Sequence, residues 1–403
     1  MTMDPTRPRP SLTPPEFASS LAQPPHAAPA AIPPVEAIPA VLPVRPRKGR
    51  SAPVWAIGLL IVVFVALVAY FLNALGPGAS IVGMVLALIP LAGVLVAIRI
   101  VDRWEPEPMS LVVFAVAWGA IAAVGIALGV DLLLVVGFGA GSVFDSDVAS
   151  AVIQAPIVEE VAKGLGLFLI FASARRAFDG PVDGVVYGAL VGAGFAFTEN
   201  IQYFAVSLIE GGAADTSVTF FVRGILSPFA HVMFTAVTGF ALGLAARRGV
   251  PARAALGPLL LGLAGAIVLH ALWNGSALLG DFFALYWTLQ VPLFVVFILG
   301  VVALRREEAR LTRARLGDYA TAGWFTPQEA DMLATSAGRR AALAWAATLR
   351  GDRRPLMRDF ISDATALAAA RQRAITGRDP HAREDEHVLL ARTAAARAAL
   401  FAP

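Results

Sequence analysis

From residue 53 to residue 304 the chain alternates long apolar runs with short polar breaks, and no soluble core could hold so many runs of that length. A helix that crosses hydrocarbon needs about 20 mostly apolar residues. Eight runs meet that length, at residues 53–75, 79–98, 109–136, 150–174, 183–208, 226–246, 254–279 and 282–304. The pattern predicts an all-α fold, a polytopic membrane helix bundle of about eight transmembrane helices.

The polar breaks then orient the runs, because cytoplasmic loops collect Lys and Arg. Arg45, Arg47, Lys48 and Arg50 precede the first run, and Arg99, Arg103, Arg175, Arg176, Arg247, Arg248, Arg253, Arg305 and Arg306 fill every second connection after it. The opposite connections hold Asp145, Asp147, Glu210, Asp215 and Asp281, with Arg223 as their one base. Both termini are therefore expected in the cytoplasm, which requires an even number of spans.

Composition supports the membrane reading and adds the ends. The chain is 57% hydrophobic and 15% charged over 403 residues, with a mean hydropathy of +0.70, well outside soluble usage. Residues 1–50 contain 13 prolines and few large apolar residues, which predicts a disordered cytoplasmic tail without a signal-peptide pattern. Residues 51–306 form the expected membrane core. Residues 307–403, rich in Ala, Arg and Glu, predict a small cytoplasmic helical region with a helix start at Thr326-Pro327-Gln328-Glu329. The pI of about 9.6 reflects bases placed by orientation in a bilayer, so no nucleic-acid partner is expected. High Ala, Arg and Pro usage with no Cys fits a GC-rich bacterial genome, hence a bacterial plasma membrane. The absence of Cys also removes disulfides, thiolate ligands and a thiol nucleophile.

Within the apolar runs, the stretch "APIVEEVAKGLG" stands out, since each charge at the centre of a spanning helix costs roughly 2.5 to 3.5 kcal/mol on insertion scales. Lys163 follows Glu159 by four residues and Glu160 by three, so it can pair with one carboxylate while leaving the other available. Pro156 removes a backbone donor about one turn earlier and is expected to loosen the helix there. The next run carries Gly184, Gly188 and Gly192, a stripe along which another helix can approach closely, followed by Glu199 and Asn200. Two of the five histidines, His231 and His270, fall within runs, and Asn274 shares a helix face with His270.

Depth ties these residues together. Counting 1.5 Å per residue from the outer ends, Glu159, Glu199 and His270 each lie roughly 13 Å deep and His231 roughly 8 Å. Four helices thus present polar groups in one layer of the outer leaflet. Two imidazoles and a carboxylate are the ligand types of a catalytic zinc, with a second carboxylate free to activate water. The same groups also suit a metal-free reaction in which Glu activates water while His and Asn stabilise the oxyanion. No H-E-x-x-H or G-x-S-x-G motif lies on a run.

Glu159-Glu160-x-x-Lys163, Gly192-x-Gly194-Phe195-Ala196 leading to Glu199-Asn200, then His231, then His270-x-x-x-Asn274 resemble the PrsW family of intramembrane proteases, relatives of the CAAX prenyl proteases and bacteriocin-processing enzymes. The stretch "DRWEPEP" at Asp102 to Pro108 resembles a further element of that family, and the likeness covers roughly residues 100–280. It implies that Glu159 and Glu160 are catalytic or adjacent to a metal and that His231 and His270 are ligands or oxyanion stabilisers. Glu199 and Asn274 would complete the site, with Lys163 and Asn200 in support. The implied ligand set is His231, His270 and Glu160, and the implied cofactor Zn2+. Lys163 stands where the CAAX-type pattern has an Arg one residue later, and Glu199 where it has a His, which favours the PrsW branch over prenylated substrates. The implied substrate is a single-span membrane protein such as an anti-sigma factor, cut in the lipid bilayer. The rival reading is an ion- or proton-coupled transporter using intramembrane Glu, Lys and His. A silent scaffold in which the polar layer only packs helices is the other.

Overall fold

A computed structural model of the protein describes residues 44–46, 54–138, 146–278, 281–349 and 351–401. Most of the expected proline-rich tail, and the connection that carries Asp145, lie outside the described residues. Every regular element among the described residues is helical. They form two compact units, one within residues 47–305 and one in which residues 44–46 join the stretch from Arg306 onward.

In the first unit, α1 (Val54–Ala74) and α2 (Gly76–Val101) are followed by α3 (Met109–Ala117), which continues through a π-helical turn at Trp118–Ala123 into α4 (Val124–Phe138). A short α5 (Asp147–Ala149) leads through a second π-helical turn, Ser150–Gln154, into α6 (Ala155–Ser173). Next come α7 (Pro181–Thr219), a π-helical segment at Phe220–Leu226, α8 (Ala230–Arg247), α9 (Leu256–Leu278), α10 (Phe282–Leu285) and α11 (Val291–Thr321).

Each of the eight apolar runs falls on helix, and five helical stretches among the described residues are long and apolar enough to cross a membrane: Gly76–Val101, Met109–Gly137, Pro181–Arg247, Leu256–Leu278 and Phe282–Thr321. Two features of the chain lower the number. Pro181–Arg247 is one helical stretch of 67 residues that contains two of the runs, with α7 broken at Gly212, whose φ is 65°. α6 is interrupted by three charged residues, while α1 runs for 21 residues from Val54 to Ala74 and is apolar along Gly58–Ala74. Large apolar side chains such as Ile61, Val62, Ile89, Leu261, Val268 and Leu299 are exposed, a surface suited to lipid and costly in water.

Helices in lipid gain little from burying apolar surface against each other, so close packing depends on small residues and polar bonds. The glycine stripe of α7 shows this. A Cβ at Gly188 would lie 2.6 Å from the carbonyl oxygen of Thr235, and one at Gly184 or Gly192 would collide with the backbone of Gly239 or His231 on α8. On its other side, Gly194 lies against Val116 of α3, and Gly83 of α2 against Ile201. α7 is accordingly the central helix, its first half buried almost throughout. Below the site, Phe178 stacks on Tyr187 with ring centroids 5.6 Å apart. The Tyr187 hydroxyl donates to Glu107 Oε2 at 2.6 Å, and the Glu107 amide donates to Asp102 Oδ2 at 3.0 Å, which pins the "DRWEPEP" stretch to α7.

The second unit continues from α11 into α12 (Pro327–Ala334), α13 (Ser336–Thr348), α14 (Arg354–Thr376) and α15 (Ala382–Phe401). α12 begins at the expected capping box, where the Thr326 amide donates to Glu329 Oε2 at 2.7 Å and the Glu329 amide to Thr326 Oγ1 at 3.1 Å. Leu316, Tyr319, Leu333, Phe360, Leu367 and Leu389 form its buried core.

Candidate active site

α6 is amphipathic with its polarity reversed from that of a helix in water. Ile157, Val161, Leu165 and Leu169, four residues apart, are exposed, while Glu159, Glu160 and Lys163 are buried. The loosening expected at Pro156 is present as the π-helical turn ending at Gln154, just before the proline.

Lys163 is wholly buried, and its ammonium is the hub of the site. Nζ lies 3.1 Å from Glu159 Oε2, 2.9 Å from Glu160 Oε1 and 3.1 Å from His231 Nδ1, and 3.7 Å from the centre of the Phe195 ring. Three N–H donors therefore meet three acceptors. The expectation that one carboxylate would be left over from Lys163 is corrected: positions i−3 and i−4 share a face closely enough that the ammonium bridges both.

The two glutamates differ in what remains to them. Glu160 has both oxygens engaged, Oε1 by Lys163 and by His270 Nδ1 at 3.2 Å, and Oε2 by the Thr235 hydroxyl at 3.1 Å. Glu159 commits Oε2 alone among the described residues, to Lys163, and that oxygen lies 3.9 Å from His270 Nε2. His270 stacks on Phe234 with centroids 4.7 Å apart, and its ring stands perpendicular to that of His231 at 5.0 Å.

His231, near the start of α8, lies where Gly192 lets α7 approach. Its Nε2 meets Glu199 Oε2 at 2.8 Å. Because an ammonium only donates, His231 Nδ1 must accept from Lys163, which assigns the proton to Nε2 and makes Glu199 its acceptor. Glu199 is also paired with Arg223, which reaches in from the Phe220–Leu226 segment, donates through Nε to Asn200 Oδ1 at 2.8 Å and lies 3.7 Å from the Tyr203 ring centre.

The structure thus brings Glu159, Glu160, Lys163, Glu199, His231 and His270 into one bonded network drawn from α6, α7, α8 and α9. Asn200 is one bond further out through Arg223. Asn274 donates to the carbonyl of Ala151 at 2.9 Å rather than to the network, and it lines the same cavity, about 190 Å³, as Glu199, Asn200, Arg223 and His231. The three groups whose ligand atoms lie within 4.8 Å of one another are Glu159, His231 and His270. The carboxylate of that set is Glu159 rather than the expected Glu160, whose own oxygens are bonded to Lys163, His270 and Thr235.

Two participants go beyond the sequence pattern. Thr235 lies one turn after His231 on the same face, a spacing visible in the sequence but indistinguishable from ordinary threonine in a helix. Arg223 stands out in the sequence only as the one base among the outer connections, and that oddity is the signal that marks it.

Residues 107–301 match the family model described as PrsW family intramembrane metalloprotease. The chain is 31% identical over 144 residues to Protease PrsW of Geobacillus kaustophilus (strain HTA426), covering 36% of this chain and 58% of that protein. It is 32% identical over 144 residues to Protease PrsW of Bacillus subtilis (strain 168), covering 36% and 60% respectively. The matched region therefore spans less than two thirds of either relative. No solved structure matches the chain. The segment from residue 107 to residue 301 carries every side chain of the bonded network, and it belongs to the PrsW family.

Proposed function

We propose that the protein is an intramembrane endopeptidase that hydrolyses a peptide bond of a membrane-anchored protein, an anti-sigma-factor-like single-span regulator, in the outer leaflet of a bacterial plasma membrane, with both termini cytoplasmic. The observation that carries this reading is the meeting, within one buried network, of a carboxylate with an oxygen to spare, Glu159, and an imidazole whose Nε2 lies 3.9 Å from it, His270.

In this reading Glu159 takes a proton from water as the water oxygen adds to the scissile carbonyl, and then passes that proton to the departing nitrogen as the C–N bond breaks. His270 Nε2 accepts the second hydrogen of the same water. Its orientation is held by Glu160 at Nδ1 and by Phe234 against its face, the arrangement that lets a carboxylate fix an imidazole's tautomer. Asn274 spends one amide hydrogen on Ala151 and keeps a second for the oxyanion, and Asn200 faces the same cavity. Lys163 and Arg223 each offset a buried carboxylate, which would otherwise cost several kcal/mol.

Glu159, His231 and His270 are the ligand types of a catalytic zinc and lie at suitable mutual distance. As arranged, however, His231 has both ring nitrogens engaged, Nδ1 by Lys163 and Nε2 by Glu199. Two free protein ligands are fewer than the three of a catalytic zinc site. Each proton transfer above is therefore assigned to a side chain of the network.

Reconstitution with a single-span substrate in vesicles made up in 18O-labelled water tests the proposal. Mass spectrometry should find one new carboxyl terminus bearing the label, with the cut in or just outside the outer part of the span. An intact substrate together with ion flux through the protein would support a carrier instead.

A further inference from the structure

The matching family is described as metalloproteases, yet three acceptors of this site already converge on a positive charge from the chain itself. We propose that the Lys163 ammonium is the resident cation of this site, and that while it is in place it excludes zinc from the Glu159, His231 and His270 donor set.

The argument rests on lone pairs. Neutral imidazole has one nitrogen lone pair in the ring plane available to a donor or to a metal. In His231 that lone pair belongs to Nδ1 and points at Lys163 Nζ, 3.1 Å away, while Nε2–H is committed to Glu199 at 2.8 Å. Ligation through Nδ1 and acceptance from Lys163 are thus mutually exclusive. Glu159 Oε2 is engaged by the same ammonium at 3.1 Å, so two of the three candidate ligands face one cation. A zinc ion bonded to His231 at about 2.0 to 2.1 Å would need that one electron pair, and Glu159 could reach it only through the oxygen that Lys163 leaves free.

Lys163 is also anchored where a diffusing ion would be exchangeable. It is wholly buried, tied through its own helix to both glutamates, and covered on one side by the Phe195 ring at 3.7 Å. Its three N–H bonds go to acceptors from α6 and α8, which join those two helices as a metal would. Lys163 is accordingly a positioning residue: it sets the spacing of Glu159 and Glu160 and selects the His231 tautomer that donates to Glu199. With all three hydrogens spent, it has none left for substrate.

The inference rests on reading the cavity as hydrolytic, but its test counts metal rather than cleavage. Zinc would be measured by mass spectrometry on detergent-purified protein from zinc-supplemented cells, without chelator, for the native chain and for Glu160→Gln/Lys163→Met. The double change removes one positive and one negative charge together and leaves the donor set intact. The native chain should carry well under one zinc per chain and the double variant about one, lost again when His270→Ala is added. About one zinc in the native chain, lost in His231→Ala, would overturn the proposal, and so would no zinc in a folded double variant, since the donor set would then not be a metal site at all.

Titration of the native chain with Co2+, followed by visible absorption, decides the matter should the double variant not fold. No saturable band is expected, and a band that saturates at one ion per chain contradicts the inference. Zinc in a native chain that still cleaves would defeat this proposal and leave the endopeptidase reading standing. A native chain free of zinc that cleaves nothing would do the reverse.

Discussion

Both units of this chain bury charged side chains, and they do so to different ends. In the unit that follows Arg306, buried charges act as stitches between helices: Arg373 lies 3.4 Å from Asp379 and 3.7 Å from Asp385, Arg392 pairs with Asp363 at 3.0 Å, and Tyr319 donates to Glu386 at 2.5 Å. Arg45 adds a second cation to Asp363 at 3.4 Å and donates to Ser362 Oγ at 2.8 Å. In the membrane unit the charges converge. Glu159, Glu160, Glu199, Lys163 and Arg223 meet two imidazoles in one bonded network, and Glu159 keeps an oxygen uncommitted among the described residues. Burial of charge is therefore common to both units; what sets the membrane unit apart is the convergence of unlike groups on one ammonium.

That contrast can be broken from either side. The largest effect is expected from His270→Asn, which removes the nitrogen facing Glu159 and should slow cleavage of a reconstituted single-span substrate by about 100-fold or more, with detergent melting unchanged. An equal loss of melting temperature would return His270 to the class of packing residues. Arg223→Ala should cost about tenfold in rate, because Glu199 loses a partner and holds His231 less firmly. Arg223→Lys should recover part of it. If neither change alters the rate, the Glu199 branch of the network is structural only.

Thr235→Val, which deletes one hydrogen bond to Glu160, should cost up to about fivefold, the worth of a single bond of roughly 1 kcal/mol. The smallest effect on cleavage belongs to the other unit. Arg373→Met leaves Asp379 and Asp385 short of a buried cation and should weaken that unit by about 3 kcal/mol, measured as faster amide exchange in α14 and α15. Cleavage per folded molecule should stay within about twofold. A drop comparable to that of His270→Asn would mean that the stitched unit acts on the reaction, and the comparison would fail.

Much of this arrangement is legible in the sequence because ionisable residues in an apolar run are rare events. Glu159, Glu199 and His270 can be placed in one layer by counting residues from the run ends, and the network joins them as that count implies. The stripe Gly184, Gly188, Gly192 likewise announces a close helix contact, and the capping box at Thr326 announces the start of α12. What stays hidden is of another kind. Thr235 is an ordinary polar residue in a helix and carries no cost that would draw notice. Arg223 reads along the chain as a marker of topology, whereas it turns inward to Glu199. The bridging of both glutamates by Lys163 depends on rotamers, which spacing along a helix does not decide. Among the stretches that qualify as spans, α6 is missing for a related reason, since the charges that make it a candidate site also make it a poor span by composition.

The central claim is that Glu159 is the base of a hydrolytic site assembled in the membrane unit. Its most direct test is the cleavage rate of a fluorogenic single-span substrate in lipid vesicles, measured side by side for the native chain and for Glu159→Gln, with both shown to be folded and equally inserted. The account predicts a fall of about 10²- to 10⁴-fold in the variant. A variant that cleaves as fast as the native chain would contradict it.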